Sequence, residues 1–144
     1  MPSLTTFPNW VPSAHPARAV LMQQDGQSSG SIIYRLLAPD EYSRNIAVWE
    51  ALLGTRLIGI GEFGGGYELL FLASDGRCFS EDIVDGDVFH YHAESLTHFE
   101  QMTLSGTRSR PMLRPDQQSI TSWGLRFTRD SPEVYDPASP QKHA

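Results

Sequence analysis

The chain has one cysteine, Cys78, and one lysine, Lys142, in 144 residues. A single thiol excludes an internal disulfide and any cysteine-based zinc knuckle; it suits a reducing compartment, where a buried thiol within a strand is its expected place. No uninterrupted apolar run approaches the ~20 residues that a membrane-spanning helix needs. The opening MPSLTTFPNWVPSAHPAR lacks the basic region and apolar stretch of a secretory leader, and its prolines would break such a helix, so a cytoplasmic location is expected. Hydrolytic signatures are missing as well: there is no Gly-x-Ser-x-Gly elbow and no His-Glu-x-x-His.

What is present is the composition of one ordinary domain, 40% hydrophobic with a net charge of −6. The charge is unevenly spread. Between Glu62 and Glu100 nine acids face one base, Arg77, a segment that repels nucleic acid. Downstream, Arg108, Arg110, Arg114, Arg126 and Arg129 outnumber Asp116 and Asp130. Without interleaved aromatics these arginines read as a solvated surface, and nucleic acid is not the expected partner.

Residues 1–30 are rich in Pro, Ser, Gln and Gly and are expected to be an extended segment with no clear helix between Trp10 and Ser31. A single domain is expected over 31–128, with 129–144 as a tail. SIIYRLL is β-prone. A helix is expected over Asp40–Leu53, with Pro39 in its first turn, Tyr42, Ile46, Trp49 and Leu53 on one face, and Gly54 as cap. TRLIGIGEF, YELLFLAS, RCFSEDIV and DVFHY follow as strands. Asp75-Gly76 and Asp85-Gly86 stand between the later ones, and such pairs are strong hairpin signals. The expectation is an α+β fold: an antiparallel meander of four or more strands, covered by two helices, with flexible termini. Two-residue turns would set Leu72 against Phe79, Ile83 against Val88 and Glu81 against His90. The second covering helix is expected in HAESLTHFEQMTLSG, closing at Gly106, and one further strand over Ile120–Phe127.

Two motifs invite chemistry. GIGEFG (Gly59–Gly64) has the spacing of a phosphate-cradling loop, but a dinucleotide fingerprint requires a helix next, and here a strand follows. A kinase-type glycine hairpin needs a lysine on the following strands, and none is there. No cofactor is expected; the glycines instead leave room on the sheet for a close neighbour such as Trp49. The second motif, DVFHYHAESLTH, carries His90, His92 and His98. His-x-His on a strand puts two imidazoles on one face, so a metal centre is the alternative to ordinary polar histidines.

The run LLGTRLIGIGEFGGGYELLFLASDGRCFSEDIVDG and the helix after it resemble the SUKH superfamily, which spans bacterial immunity proteins, fungal cell-wall regulators and a herpesviral tegument family. The resemblance covers about residues 30–106. It rests on Leu53-Gly54, Leu57 and Ile60-Gly61-Glu62, on the Asp75-Gly76-Arg77 turn, and on Leu104 and Gly106. Trp10, Pro12 and Arg18 are similar to the opening of one branch. The resemblance implies a non-catalytic α+β module that binds a protein partner, for instance an immunity protein occluding a nuclease or deaminase toxin, or a viral or host-interaction module of the same fold. A basic toxin site would be met by acids, which makes Glu62, Glu81, Asp82, Asp85 and Asp87 the candidate contact residues, with Trp10 and Tyr67 as aromatic anchors.

Overall fold

The computed structural model describes residues 7–83 and 88–138. The chain is α+β. Seven strands form one antiparallel sheet in sequential order: β1 (Ser28–Ser29), β2 (Ile32–Tyr34), β3 (Leu57–Phe63), β4 (Glu68–Ala73), β5 (Cys78–Asp82), β6 (Val88–Ala93) and β7 (Arg110–Met112). A separate hairpin, β8 (Ser119–Ser122) and β9 (Leu125–Thr128), lies beside β6. Three α-helices, α1 (Ala17–Gln24), α2 (Ile46–Leu53) and α3 (Leu96–Ser105), and a 3₁₀ turn over Pro39–Glu41 complete the described elements.

Each sheet face has its own core. On one, Ala17 and Leu21 of α1 and Phe99 and Met102 of α3 pack on Ile58, Ile60, Leu70 and Leu72. On the other, Ile46, Trp49 and Leu53 of α2 meet Phe71, Phe79 and Phe89. Trp49 stacks on Phe89 with ring centroids 4.7 Å apart, adding specific geometry to a large apolar burial. Apolar side chains on both faces of the central strands require this two-sided cover.

Several expectations are corrected. The segment between Trp10 and Ser31 holds a helix, α1, started by His15. Its Nδ1 accepts the Ala17 amide at 3.0 Å while its Nε2 reaches the Arg56 carbonyl at 3.0 Å, an arrangement that needs the neutral ring; burial lowers its pKa accordingly. The helix expected from Asp40 begins at Ile46, preceded by a 3₁₀ turn over Pro39–Glu41. In between, the Ser43 hydroxyl accepts the Asn45 amide, a local bond that competes with helix. The buried stripe of Ile46, Trp49 and Leu53 and the left-handed Gly54 cap are as expected. Gly106 closes α3 as expected, but the helix expected from His92-Ala93 starts only at Leu96, capped by the Ser95 hydroxyl, because His92 and Ala93 still belong to β6.

The register is shifted by one residue. Leu72 pairs with Cys78 and Phe71 with Phe79, because Ser74 joins Asp75-Gly76 in a three-residue connection between Ala73 and Arg77. Gly76, at φ +97°, supplies the left-handed position that such a loop requires. Across the next hairpin, Asp82 rather than Ile83 faces Val88, Ser80 faces His90, and Glu81 faces Phe89. The Asp85-Gly86 turn lies outside the described residues. Ile120–Phe127 is a hairpin with Trp123-Gly124 at its tip, not one strand. Tyr135, expected in the tail, is buried against Tyr91 with ring centroids 4.0 Å apart. Arg77 of the Asp-Gly-Arg turn ties that segment down, donating to the Tyr135 hydroxyl and to the Leu53 carbonyl, each at 3.2 Å.

The strand glycines do admit a close neighbour, but it is β2 and the segment after it rather than Trp49. A bulge at Gly59-Ile60 turns the Gly59 amide to the Tyr42 hydroxyl at 2.8 Å. A Cβ at Gly59 would stand 2.5 Å from Leu37 Cδ1, and one at Gly61 would stand 2.5 Å from the Ile33 carbonyl oxygen. Overpacking that displaces paired backbone costs more than displacing a side chain. Gly61→Ala is therefore expected to lower unfolding free energy in urea by about 2–3 kcal/mol, and Gly59→Ala by less. An equal or reversed order would show that β2 is not held against β3 as described.

Candidate functional site: a polar seam and the Trp123 hairpin

Period-2 alternation splits β5 and β6 unequally. Phe79, Phe89 and Tyr91 point to the α2 face, whereas Ser80, His90 and His92 point to the α1/α3 face. That face is thus apolar over β2–β4 except at Glu68, the first residue of β4, and polar over much of β5–β6. A fully apolar helix surface would strand those polar groups without partners; within the seam and the hairpin they find partners, except His90 Nδ1, which is buried with none among the described residues. The Ser80 hydroxyl donates to Glu68 Oε1 at 3.1 Å and lies 2.7 Å from His92 Nε2, so it accepts from the Nε2–H tautomer. The next imidazole, His90, is 2% exposed and bonds Ser122 Oγ of the hairpin at 3.1 Å.

The electrostatics follow from burial. Desolvation lowers the His90 pKa to about 4 and that of His92 to about 3, the latter helped by the neighbouring His90. His92 also has aromatic rings on two sides, Phe63 and Phe99, with centroids at 5.5 and 5.0 Å. Burial raises the Glu68 carboxyl; the Ser80 bond partly offsets this and the nearby Asp82 charge adds to it. Cys78, by the same cause, is pushed up to about 12 and is an inert core thiol.

A cavity of about 270 Å³ opens over the seam, bounded by Phe63, Glu68, His92, Met102, Arg108 and Trp123. Its wall is the β8–β9 tip. Trp123 and Gly124 both have positive φ, +53° and +74°, as the two central residues of a type I′ turn require. Glycine or asparagine takes that conformation easily, whereas a tryptophan there costs about 1–2 kcal/mol. The side chain so displayed is 44% exposed. The Arg108 guanidinium lies over its ring, 4.5 Å from the centroid, and the His90 ring is tilted against it at 5.1 Å. A second cavity, about 340 Å³, lies on the other side between Arg108, Trp123, Leu125 and Phe127.

Glu62 is held by Arg35 at 3.0 Å, in a cluster with Glu41. Glu81 is 4% exposed, on the opposite sheet face from Glu68. Asp82 is half-buried, opposite Glu68 in the register. Asp85 and Asp87 lie outside the described residues. Tyr67 is 61% exposed at the β3–β4 turn, and its carbonyl accepts the amide of the exposed Ile83 at 2.9 Å. Trp10 packs edge-on against Tyr42, and its carbonyl accepts from Arg56 just before β3. The two aromatic anchors thus sit at opposite ends of β3, about 20 Å apart for seven residues. Tyr67, Asp82 and Glu68 are brought together; Glu62, Glu81 and Trp10 are not part of that group. His90 and His92 are neighbours at 6.4 Å, while His98 is exposed on α3. Among the described residues no group of three or more His, Cys, Asp or Glu is placed to hold a metal ion.

Glu68, Ser80 and His92 do not form a nucleophilic triad. The acid bonds the serine instead of orienting the imidazole, and Ser80 has no exposed surface. Comparison with family models, with curated proteins and with solved structures finds no match to the chain. Among the described residues no helix is long and apolar enough to cross a membrane.

The neutral histidines set an acid limit. Their folded pKa values lie below the ordinary 6.5, so the unfolded chain binds more protons between pH 6.5 and about 4. Stability is full above that window and falls as pH drops through it; Glu68, shifted upward, opposes the trend. Replacing His90 by Gln is expected to remove on the order of 3 kcal/mol of the loss between pH 7 and 4. Urea unfolding at the two pH values measures it, and an unchanged pH dependence would contradict the buried neutral imidazole.

Proposed function

We propose that the chain is a non-catalytic protein-binding module, of the toxin-neutralising immunity type that its SUKH resemblance implies, and that it binds through the Trp123 hairpin. The observation that carries this reading is the strained Trp123. A large aromatic side chain is held at a hairpin tip in a backbone conformation that costs about 1–2 kcal/mol, with close to half its surface in solvent and an arginine on its face. Strained conformations persist where surroundings enforce them, and they cluster at functional positions. Tryptophan and arginine are also the residues most enriched among binding hot spots.

The surroundings extend this face. Exposed Leu125 follows in β9, and Glu68, on the cavity wall, connects the hairpin to the end carrying Tyr67, Ile83 and Asp82. The acidic contribution of this reading is Asp82 together with Asp85 and Asp87. Glu62 pairs with Arg35, and Glu81 is buried on the other sheet face, so neither is part of this proposed surface. The segments behind the resemblance fold as units that support it. Arg18 donates to the Val11 and Pro12 carbonyls at 2.6 and 3.1 Å, α1 is the helix that the resemblance to the bacterial branch implies between Trp10 and Ser31, and Gly61 is packed on β2.

The test uses the protein encoded beside this gene as the candidate toxin partner, with affinity read by calorimetry. Trp123→Asn should leave the unfolding free energy within about 1 kcal/mol of the parent, because relief of the left-handed strain offsets the lost ring contacts. The same change should weaken binding by at least about 2 kcal/mol. Full affinity in Trp123→Asn would overturn the hairpin as the contact surface. No binding by the parent protein would overturn the immunity reading.

A further inference from the structure

We infer that the cavity between the polar seam and Trp123 is a receptor for an organic cation, the ammonium or guanidinium group of a lysine or arginine presented by the protein partner. This rests on the protein-binding reading above.

The walls have the chemistry of a cation cage. Three aromatic rings, Phe63, His92 and Trp123, bound the space, and Glu68 supplies a carboxylate beside them. Aromatic faces attract cations through their quadrupole, most strongly when water is excluded. His92 is neutral, held through Nε2 to Ser80, and adds no repelling charge. The carboxylate is the telling part. Glu68 is half-buried, and among the described residues its side chain bonds the neutral Ser80 hydroxyl and forms no ion pair with an Arg, Lys or His. A desolvated carboxylate next to a second acid, Asp82, has no countercharge at ion-pair distance among the described residues, and a cation entering the cavity supplies one.

Arg108 shows that the platform works. At the cavity mouth its guanidinium already lies 4.5 Å over the Trp123 ring, a cation of the chain's own on the aromatic wall. It stands where the incoming group would share the ring, so it competes with a small free cation even while contributing to a protein interface.

The experiment titrates the full chain with methylguanidinium chloride and with butylammonium chloride, against sodium chloride at equal ionic strength. The readouts are the Trp123 indole and His92 ring signals by NMR. A saturable shift with the organic cations and none with sodium is expected. Glu68→Gln should weaken it roughly tenfold, the loss of a charge-assisted bond. Arg108→Ala should tighten it, by removing the internal competitor; this surface change keeps the test alive if Glu68→Gln does not fold. Shifts equal to those of sodium, or the same affinity in Glu68→Gln, would overturn the cage. Probe binding that the partner protein does not displace would overturn its assignment to a partner side chain. If Trp123→Asn abolishes partner binding while Glu68→Gln leaves it intact, the cage fails and the hairpin interface stands.

Discussion

Glu68, Ser80 and His92 form a hydrogen-bonded polar line on a sheet face that is otherwise apolar, and the architecture above them follows from it. Phe99 and Met102 of α3 cover Ile60, Leu70 and Leu72, but an apolar helix extended over β5 and β6 would have buried those polar atoms against hydrocarbon at a cost of several kcal/mol. The β8–β9 hairpin closes that side instead, offering Ser122 to His90. Between helix and hairpin a cavity remains, with polar groups on its floor and aromatic rings on its walls.

The same constraint explains why the hairpin carries an unfavourable turn residue. Asparagine in place of Trp123 would suit a type I′ turn better, yet the indole sets an aromatic wall against His90 and gives Arg108 a surface to lie on. Local backbone preference and the arrangement of the site conflict at this position, and such conflicts are expected at functional positions rather than in the core. Among the described residues the opposite face holds no non-glycine residue at positive φ. Trp49, Phe71, Phe79 and Phe89 are all buried there, and Arg77 and Tyr135 fasten the C-terminal segment across it.

Much of this was legible from the residues. Alternating apolar positions and Asp-Gly pairs mark β3–β6, and the stripes of α2 and α3 end at glycines that are left-handed in the structure. What was hidden was hidden for physical reasons. In α1 only Ala17 and Leu21 are buried, while the apolar Met22 is exposed, so no clear stripe marks the helix, and its start after a run of prolines depends on His15, a residue that propensity does not mark as a cap. One extra loop residue at Ser74 and a longer connection after Asp82 shift the register by one, which in a sheet moves every side chain to a different neighbour. Glu81 was therefore expected against His90, when Ser80 is there, and the Glu68–Ser80–His92 line could not be foreseen. The His-x-His pattern did mark β6 as polar on one face. Trp123-Gly124 sits inside a β-prone run, and only its positive φ values reveal a turn.

Chemical-shift mapping of the isotope-labelled chain bound to its partner protein tests the central claim most directly. The largest changes are expected to centre on the Trp123 indole and the Arg108, Leu125 and Glu68 signals, and to fade toward α2. Changes concentrated on Val48 and Leu52 of α2, with the Trp123 indole unmoved, would contradict it.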